Sequence, residues 1–123
     1  MQDASFQEKF PKPDLAKSPS FKFDDGWSFT SPVGQFKSND FGLYDMQGNV
    51  WEWCSDLYGS KYYESSPLQD PQGTSLSAFR VYRGGSCFDS AWSCRSAFRY
   101  FGNPSVRGYY LGFRVVLIPP VEL

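Results

Sequence analysis

Histidine is absent from this chain of 123 residues, and cysteine occurs only three times. Without an imidazole, the chain by itself offers neither a histidine general base nor a histidine-ligated metal. Cys54, Cys87 and Cys94 are an odd number of cysteines. At most one internal disulfide can therefore form, and buried free thiols are the expected state. Because no two cysteines have the CxxC spacing, the sequence does not favour a zinc site.

The chain also lacks an excess of either charge and any long apolar run. Twelve lysines and arginines against thirteen aspartates and glutamates leave a net charge of −1. This balance argues against a broad nucleic-acid or anionic-membrane surface, and no run is long enough to span a membrane. Aromatic residues, in contrast, make up 20% of the chain. A single domain of this size cannot bury that many rings, so some of them should face solvent.

Proline separates a terminal segment from the rest of the chain. Residues 1–23 are largely polar and are interrupted by Pro11 and Pro13. This pattern predicts an extended arm with at most a short helical turn near Ala4–Phe10. Residues 24–123 are then expected to form the domain itself.

Within the domain, two segments have the pattern of strands. Phe79–Arg83 alternates and stops at a Gly-Gly pair, where the chain should turn sharply. Leu111–Ile118 is β-branched and apolar, which predicts the strongest strand and a central place in a sheet. Residues 57–78, rich in proline and glycine, are expected to make a surface excursion. Short strands with this punctuation indicate a loop-rich α+β fold.

The segment from Arg83 to Arg114 contains positions of two kinds. One kind looks fixed by backbone or packing, whereas the other follows neither the strand period nor the helix period. The second kind is mostly aromatic, small or hydroxylated and contains no lysine, glutamate or glutamine. Such a mixture is typical of an adaptable binding surface, because rings supply contact area and small polar residues supply hydrogen bonds. We call these fifteen residues the display surface: Phe88, Asp89, Ser90, Trp92, Ser93, Phe98, Tyr100, Phe101, Gly102, Asn103, Ser105, Val106, Gly108, Tyr109 and Tyr110.

Burial in the core is the alternative interpretation of these rings. Seven of them lie within residues 86–110, separated by glycine, serine and asparagine. They are too many and too irregular for one buried face, which favours an interaction site. Four arginines of the same segment should tie its loops down by hydrogen bonds or form a partly solvated basic face. They are Arg95, Arg99, Arg107 and Arg114.

Two carboxylates flank a Gly-Asn turn earlier in the chain. Asp45 and Glu52 lie seven residues apart, so their oxygens and the carbonyls freed by the turn suit a hard cation such as calcium. In the alternative, Asp45 caps the turn and Glu52 pairs with an arginine, and the spacing alone favours this second interpretation. Trp51 and Trp53 should share one side of a strand, with Glu52 on the other side.

Five stretches together resemble the formylglycine-generating-enzyme (sulfatase-modifying factor) superfamily: SPVGQF, NDFGLYDMQGNVWEWCSD, RVYRGGS, CRSA and LGFRVV. The resemblance covers about Asp24 to Val116 and corresponds to the C-terminal half of the family domain. It implies a C-type-lectin-like α+β fold that is loop-rich and minimal or truncated on its N-terminal side. We therefore also expect an oligomer or a partner segment that supplies the absent piece.

Within this superfamily, the segment from Arg83 to Arg114 is similar to the variable region of diversity-generating-retroelement proteins. In those proteins, adenine-directed copying mutates asparagine codons that stand between fixed residues. Such codons cannot become lysine, glutamate, glutamine, methionine or tryptophan codons, and fourteen of the fifteen display positions comply, Trp92 being the exception. The resemblance implies a variable display region over residues 87–110 that binds a protein ligand of unknown identity.

The resemblance also implies a structural calcium ion. Its ligands would be Asp45, the carbonyls of Gly48 and Val50, and Glu52. A second family site would use Asp25 and the carbonyl of Trp27, but its other ligands belong to sequence that this chain lacks.

Copper is the remaining cofactor question. The enzymes of the superfamily hold copper with two cysteines five residues apart, and these positions correspond to Asp89 and Cys94. One thiolate with one carboxylate is a poor Cu(I) site, because this ion prefers soft ligands. The resemblance therefore predicts no copper and no enzyme activity. A copper oxidase and an assembly or structural module are the alternatives to ligand binding.

Overall fold

The computed structural model of this chain describes residues 25–117. They contain four strands and one short helix: β1 Trp51–Leu57, α1 Tyr62–Ser65, β2 Arg80–Arg83, β3 Tyr100–Gly102 and β4 Leu111–Gly112. Long connections separate these elements, and the loop-rich α+β architecture expected from the sequence is confirmed. The predicted arm over residues 1–23 and its helical turn near Ala4–Phe10 lie outside the described residues.

The four strands form one mixed sheet in the order β3-β2-β1-β4. β2 is antiparallel to both β1 and β3, whereas β1 and β4 are parallel. Tyr82 of β2 lies opposite Trp53 of β1 and Tyr100 of β3. Since side chains directly opposite each other share a face, this register gathers rings on one side of the sheet.

β1 is irregular along its length. Its register against β2 shifts between Trp53 and Leu57. The guanidinium of Arg80 donates hydrogen bonds to the carbonyls of Cys54 and Ser55 at this place. A side chain of β2 thus satisfies backbone groups where the regular ladder of hydrogen bonds is interrupted.

The core is small and takes residues from both sides of the sheet, because Val81 and Tyr82 are adjacent in β2 and therefore face opposite sides. Trp51, Val81 and Cys94 are almost fully buried. Trp51 and Trp53 both meet the ring of Tyr82 edge-on, at centroid distances of 5.2 and 5.0 Å. The prediction that the two tryptophans share one side of a strand is therefore confirmed.

The sharp turn predicted after the second strand is confirmed at Gly84 and Gly85. Their φ angles are 94° and 75°, in the left-handed region that residues with a Cβ rarely adopt. A Cβ at Gly85 would also lie 2.6 Å from Sγ of Cys94. Glycine is needed there for both backbone conformation and close approach, and the turn leads directly into the display surface.

The predicted long central strand over Leu111–Ile118 is wrong. Among residues 25–117, the segment pairs with β1 only at Leu111 and Gly112, and β4 is the last strand of the sheet on that side. Composition sets the strand preference of a residue, but a strand forms only beside a neighbour that accepts its hydrogen bonds. Within the described part of the chain, no strand pairs with residues 113–117.

The surface excursion predicted over residues 57–78 is confirmed. None of its residues is buried, and Leu68 and Leu76 project into solvent. Its regular structure consists of the end of β1 and the four residues of α1. The strand predicted at Phe79–Arg83 is also confirmed, one residue shorter, as β2.

Candidate functional site

The display surface is on the outside of the molecule. None of its fifteen residues is buried. Tyr109 and Trp92 are the most exposed of its rings, at 79% and 64%, whereas Phe98 and Tyr110 are half-buried. The rings thus include outward anchors and others that support them.

Main-chain hydrogen bonds hold the loops that carry the display surface. The amide of Asp89 donates to the carbonyl of Ser86, and that of Ser93 donates to Ser90, both at 3.0 Å. In a third turn of the same type, the amide of Val106 donates to the carbonyl of Asn103 at 2.9 Å. These bonds do not depend on the side chain at either end, except that proline cannot donate.

One group of rings surrounds β3. Tyr100 packs against Trp51 and stacks on Phe98 at a centroid distance of 6.3 Å. Phe101 stacks on Tyr100 at 5.8 Å and on Tyr58 at 3.9 Å. Tyr58 was not among the sequence-predicted site residues. Its contact with Phe101 joins positions 43 residues apart, and no local pattern signals such a pair.

A second group of rings lies around Tyr109. Tyr109 meets Phe88 edge-on at 5.4 Å and Tyr110 at 5.6 Å. Phe88 in turn contacts Phe29 at 6.3 Å. The two ends of the display region are therefore brought together by contacts between their own rings. Such edge-to-face pairs contribute about 0.5–1.5 kcal/mol beyond area burial.

Asp89 is the display residue with a carboxylate, and this carboxylate accepts hydrogen bonds from Trp51 and Ser86. Its Oδ2 accepts hydrogen bonds from Nε1 of Trp51 at 2.8 Å, from the amide of Ser86 at 3.1 Å and from Oγ of Ser86 at 2.5 Å. Ser86 is 1% exposed. Asp89 thus joins the start of the display region to β1.

The four arginines that were predicted to hold the loops make different kinds of contact. Arg114 and Arg95 make hydrogen bonds, and Arg95 also places its guanidinium 3.5 Å from the ring centroid of Trp92. Arg99 lies 4.1 Å from the ring centroid of Tyr63. These cation–π contacts fix the arginines and the rings relative to each other. Arg107 is exposed.

The Gly-Asn turn before β1 anchors the base of the display region. Gly48 donates its amide to the carbonyl of Gly84 at 2.8 Å, and the carbonyl of Asn49 accepts from the amide of Cys87 at 2.9 Å. The side chain of Asn49 exchanges two hydrogen bonds with the backbone of Ser31. Three segments distant in sequence therefore meet at this turn.

An open cleft of about 1170 Å³ lies beside this turn. We call it the carboxylate cleft, because Asp45 and Glu52 line it together with Arg83 and Arg114. All three cysteines also line it, whereas none of the fifteen display residues does. The carboxylate cleft and the display surface are therefore formed by different residues, although they adjoin at Arg95, which lines the cleft and contacts Trp92.

Glu52 pairs with an arginine, as the alternative interpretation of its carboxylate predicted. Nε and Nη2 of Arg114 each lie 2.5 Å from an oxygen of Glu52. The same guanidinium donates to the carbonyls of Tyr44 and Asp45. The hydrogen bond to the Glu52 carboxylate raises the pKa of Arg114. Oδ2 of Asp45 accepts from the amide of Gly34 at 2.7 Å, so it also takes part in loop closure.

The predicted calcium ligands have the right chemistry but a competing cation. Carboxylate and carbonyl oxygens of Asp45, Gly48, Val50 and Glu52 are the donors that calcium takes, and an ion held by them would have a structural role. In this arrangement, however, the Arg114 guanidinium occupies both oxygens of Glu52. A calcium ion bound to Glu52 would share this carboxylate with the guanidinium or take its place. At the second implied site, Oδ1 of Asp25 accepts from the amide of Trp27.

All three thiols are free. Burial raises the pKa of the Cys94 thiol, and burial likewise raises the pKa of Cys54. Asp89 and Cys94 do not fit a Cu(I) site, because the carboxylate already serves Trp51 and Ser86 and only one soft ligand remains.

Comparison with known proteins places these features in a family. The family model described as "Sulfatase-modifying factor enzyme 1-like domain" matches residues 2–118. The formylglycine-generating enzyme of Streptomyces coelicolor is 41% identical over 112 residues, which are 89% of this chain and 33% of that protein. The chain thus spans about a third of the length of this relative.

Two solved structures are similar in both fold and sequence. Treponema denticola variable protein 1 superposes with a TM-score of 0.66 and 36% identity, covering 83% of this chain and 37% of that one. PvdO from Pseudomonas aeruginosa gives a TM-score of 0.65 and 37% identity, covering 73% and 34%. The predicted fold and the resemblance to a variable protein of this superfamily are confirmed.

One prediction requires correction. The sequence was interpreted as that of a protein without enzyme activity, because the copper-binding cysteine pair is broken. Relatives 41% and 37% identical to the chain are, however, named formylglycine-generating enzymes. The loss of one cysteine does not outweigh a similarity that extends over most of the chain.

A helix that crosses a membrane must be both long and apolar. Across residues 25–117, no helix has the length and apolar character needed to cross a bilayer.

Proposed function

We propose that this chain, which belongs to the sulfatase-modifying factor enzyme 1-like domain family, is a ligand-binding module whose display surface is diversified by a retroelement and binds a protein ligand. The observation that carries the proposal is that none of the display residues is buried and that their loops are closed by main-chain bonds. Similarity to Treponema denticola variable protein 1 supports it.

The proposed surface offers anchors of the kind that dominate protein interfaces. Trp92 and Tyr109 are large, exposed rings, and Arg95 holds Trp92 in place from one face. A few such residues contribute about 2 kcal/mol or more each when a partner buries them. Ser90, Asn103 and Ser105 are exposed between the rings and allow hydrogen bonds to a partner of varied shape.

Sequencing tests the proposal directly. The codons for residues 83–114 would be read across a population of the source, together with neighbouring DNA. We expect substitutions confined to the display positions, beside a near-copy of the segment that differs at adenines. An invariant segment without such a copy would contradict diversification. The codons of β1 and β2 serve as the internal control, because the same population should leave them unchanged.

A second candidate function is thiol oxidation as part of a formylglycine-generating enzyme. It is favoured by the relatives that carry this name and by the position of Cys94 on the carboxylate cleft. The test is oxygen consumption with a cysteine-containing peptide, in the presence and absence of copper, with Cys94→Ser as control. Consumption that requires both copper and Cys94 would establish this function for the chain.

A further inference from the structure

Positive charge is concentrated in the segment that carries the display surface. Residues 83–114 contain five arginines and a single carboxylate, that of Asp89, which gives them a net charge of +4. Because the whole chain has a net charge of −1, the residues outside this segment carry a net charge of −5. The chain is therefore asymmetric in charge, and its positive part coincides with the proposed binding surface.

Two of the five arginines serve the carboxylate cleft. Arg114 pairs with Glu52, and Arg83 lines the cleft together with that pair. The remaining three, which we call the border arginines, are Arg95, Arg99 and Arg107. Within residues 25–117, no carboxylate forms an ion pair with any of these three. Their charges thus have no direct counterion in this part of the chain.

Rings hold two of the border arginines in place beside display residues. The guanidinium of Arg95 lies 3.5 Å from the ring centroid of Trp92, and its Nε donates to the Trp92 carbonyl. Arg99 lies 5.5 Å from the ring centroid of Tyr58, and that ring stacks on Phe101. A guanidinium held against a ring keeps the N–H groups at its edge available, and its fixed position lowers the entropy cost of binding.

Arg107 adjoins the display surface through the chain itself. It is exposed and stands between Val106 and Gly108, which are both display residues. None of the border arginines belongs to the set of positions that the proposed codon changes replace. Positive charge is consequently a constant property of a surface whose other chemistry varies.

We propose that the protein ligand presents an acidic patch to the display surface, and that Arg95, Arg99 and Arg107 bind its carboxylates. The planar fork of a guanidinium matches a carboxylate with two hydrogen bonds. Complementary charge speeds the encounter and disfavours partners of like charge, whereas the varied residues decide which acidic protein binds. This inference rests on the proposed binding function of the display surface, although not on its diversification.

A nucleic acid would also offer anionic groups to the arginines and flat faces to the rings. An extended polyanion, however, reaches beyond the display surface and meets the rest of the chain, which carries a net charge of −5. A protein ligand can confine its acidic groups to the area of contact. The asymmetry in charge therefore favours an acidic protein surface.

The experiment selects ligands for the full chain from a display library of small folded domains with randomised surface residues. We expect the selected domains to contain about 2-fold or more aspartate and glutamate relative to the starting library. Their association rate constant should fall about 5-fold or more as sodium chloride is raised from about 0.01 M to about 0.5 M, because salt screens exposed charges. Tyr109→Ala should weaken binding about 10-fold or more, which tests the display surface independently of charge.

Three variants separate the position of a charge from its amount. Arg107→Gln removes one exposed charge beside the display residues, whereas Lys37→Gln removes one from an exposed residue of the carboxylate cleft. We expect Arg107→Gln to lower the association rate constant about 3-fold or more and Lys37→Gln to leave it nearly unchanged. Arg107→Lys keeps the charge and should retain most of the parent's rate constant.

The outcomes distinguish this inference from the function on which it rests. Selected domains without acidic enrichment, or a rate constant that does not depend on salt, would overturn the acidic ligand even if Tyr109→Ala abolishes binding. Binding that Tyr109→Ala leaves unchanged, or a selection without binders, would instead contradict the display surface itself. Equal effects of Arg107→Gln and Lys37→Gln would overturn the role of the border arginines. Tighter binding of a single-stranded oligonucleotide of random sequence than of the selected domains would identify a nucleic acid as the ligand and overturn the proposal.

Discussion

Nε1 of Trp51 donates a 2.8 Å hydrogen bond to Oδ2 of Asp89, across 38 residues of sequence. The bond joins β1 to the beginning of the display region, and the same oxygen holds the amide and hydroxyl of Ser86. Three donors converge on one oxygen atom in a half-buried place. The position of the first display loop therefore depends on a side chain that the display surface itself contains.

Replacing Asp89 should therefore cost stability. In Asp89→Ala, the indole of Trp51 and the amide of Ser86 lose their acceptor, and an unsatisfied buried donor costs about 1–3 kcal/mol. We expect the free energy of unfolding in urea to fall by that amount. Ser90→Ala, at the exposed neighbouring position, is the control and should change it by less than about 0.5 kcal/mol. Equal effects would mean that Asp89 has no anchoring role.

Gly85→Ala tests the close approach at the end of β2. The new Cβ would meet Sγ of Cys94 at 2.6 Å in a backbone with positive φ. We expect a loss of about 2 kcal/mol or more in the free energy of unfolding. Gly42→Ala shares the positive φ but meets nothing within 4 Å. The difference between the two variants isolates the contact with Cys94, and similar losses would contradict it.

Arg114 and calcium should compete for Glu52. Both oxygens of the carboxylate accept from the guanidinium, so Arg114→Gln frees a ligand that calcium prefers. We expect calorimetric titration with calcium chloride to give about 10-fold tighter binding to Arg114→Gln than to the parent. Glu52→Gln should bind most weakly of the three. An unchanged affinity in Arg114→Gln would show that calcium does not use Glu52.

The buried thiols should react slowly near neutral pH. Burial raises the pKa of Cys94 and of Cys54, so little nucleophilic thiolate is present at pH 7.5. Mass spectrometry after treatment with iodoacetamide should show slow labelling of the folded chain and rapid labelling at all three cysteines in urea. Rapid labelling of folded Cys94 at pH 7.5 would instead reveal an activated thiol.

The same shifts predict a loss of stability in alkali. A thiol whose pKa is higher in the folded state keeps its proton longer there than in the unfolded state. The stability associated with the bound proton is therefore fully present below the unfolded pKa, about 8.5. It is lost as the pH rises through the folded pKa. A urea midpoint that falls above this pH in the parent, and less in Cys94→Ala, would agree with this expectation.

Local patterns predicted much of the framework. The alternation around Trp51 placed two rings on one side of β1, and the Gly-Gly pair marked the end of β2. The spacing of Asp45 and Glu52 left two interpretations, and only the structure shows Arg114 beside Glu52, from 62 residues away. Such pairs depend on the path of the whole chain, which no local pattern contains.

The limit of what the sequence can predict is clearest at the display surface and at β4. The irregular spacing correctly indicated exposed rings. It did not distinguish Asp89 from its neighbours, because the sequence does not show whether a carboxylate accepts from an indole or faces solvent. The apolar run at Leu111–Ile118 indicated burial in a sheet. That inference assumed a neighbouring strand, and pairing is a property of two segments rather than of one.

The turns of the display region are closed by bonds between amides and carbonyls. A codon change replaces a side chain but leaves these groups in place, unless it introduces proline. The chain can therefore explore many chemical surfaces while its loops keep one shape. For protein engineering, a combinatorial library built at the exposed positions would vary the chemistry of this surface without a matching loss of folded members, provided that Asp89 is kept constant.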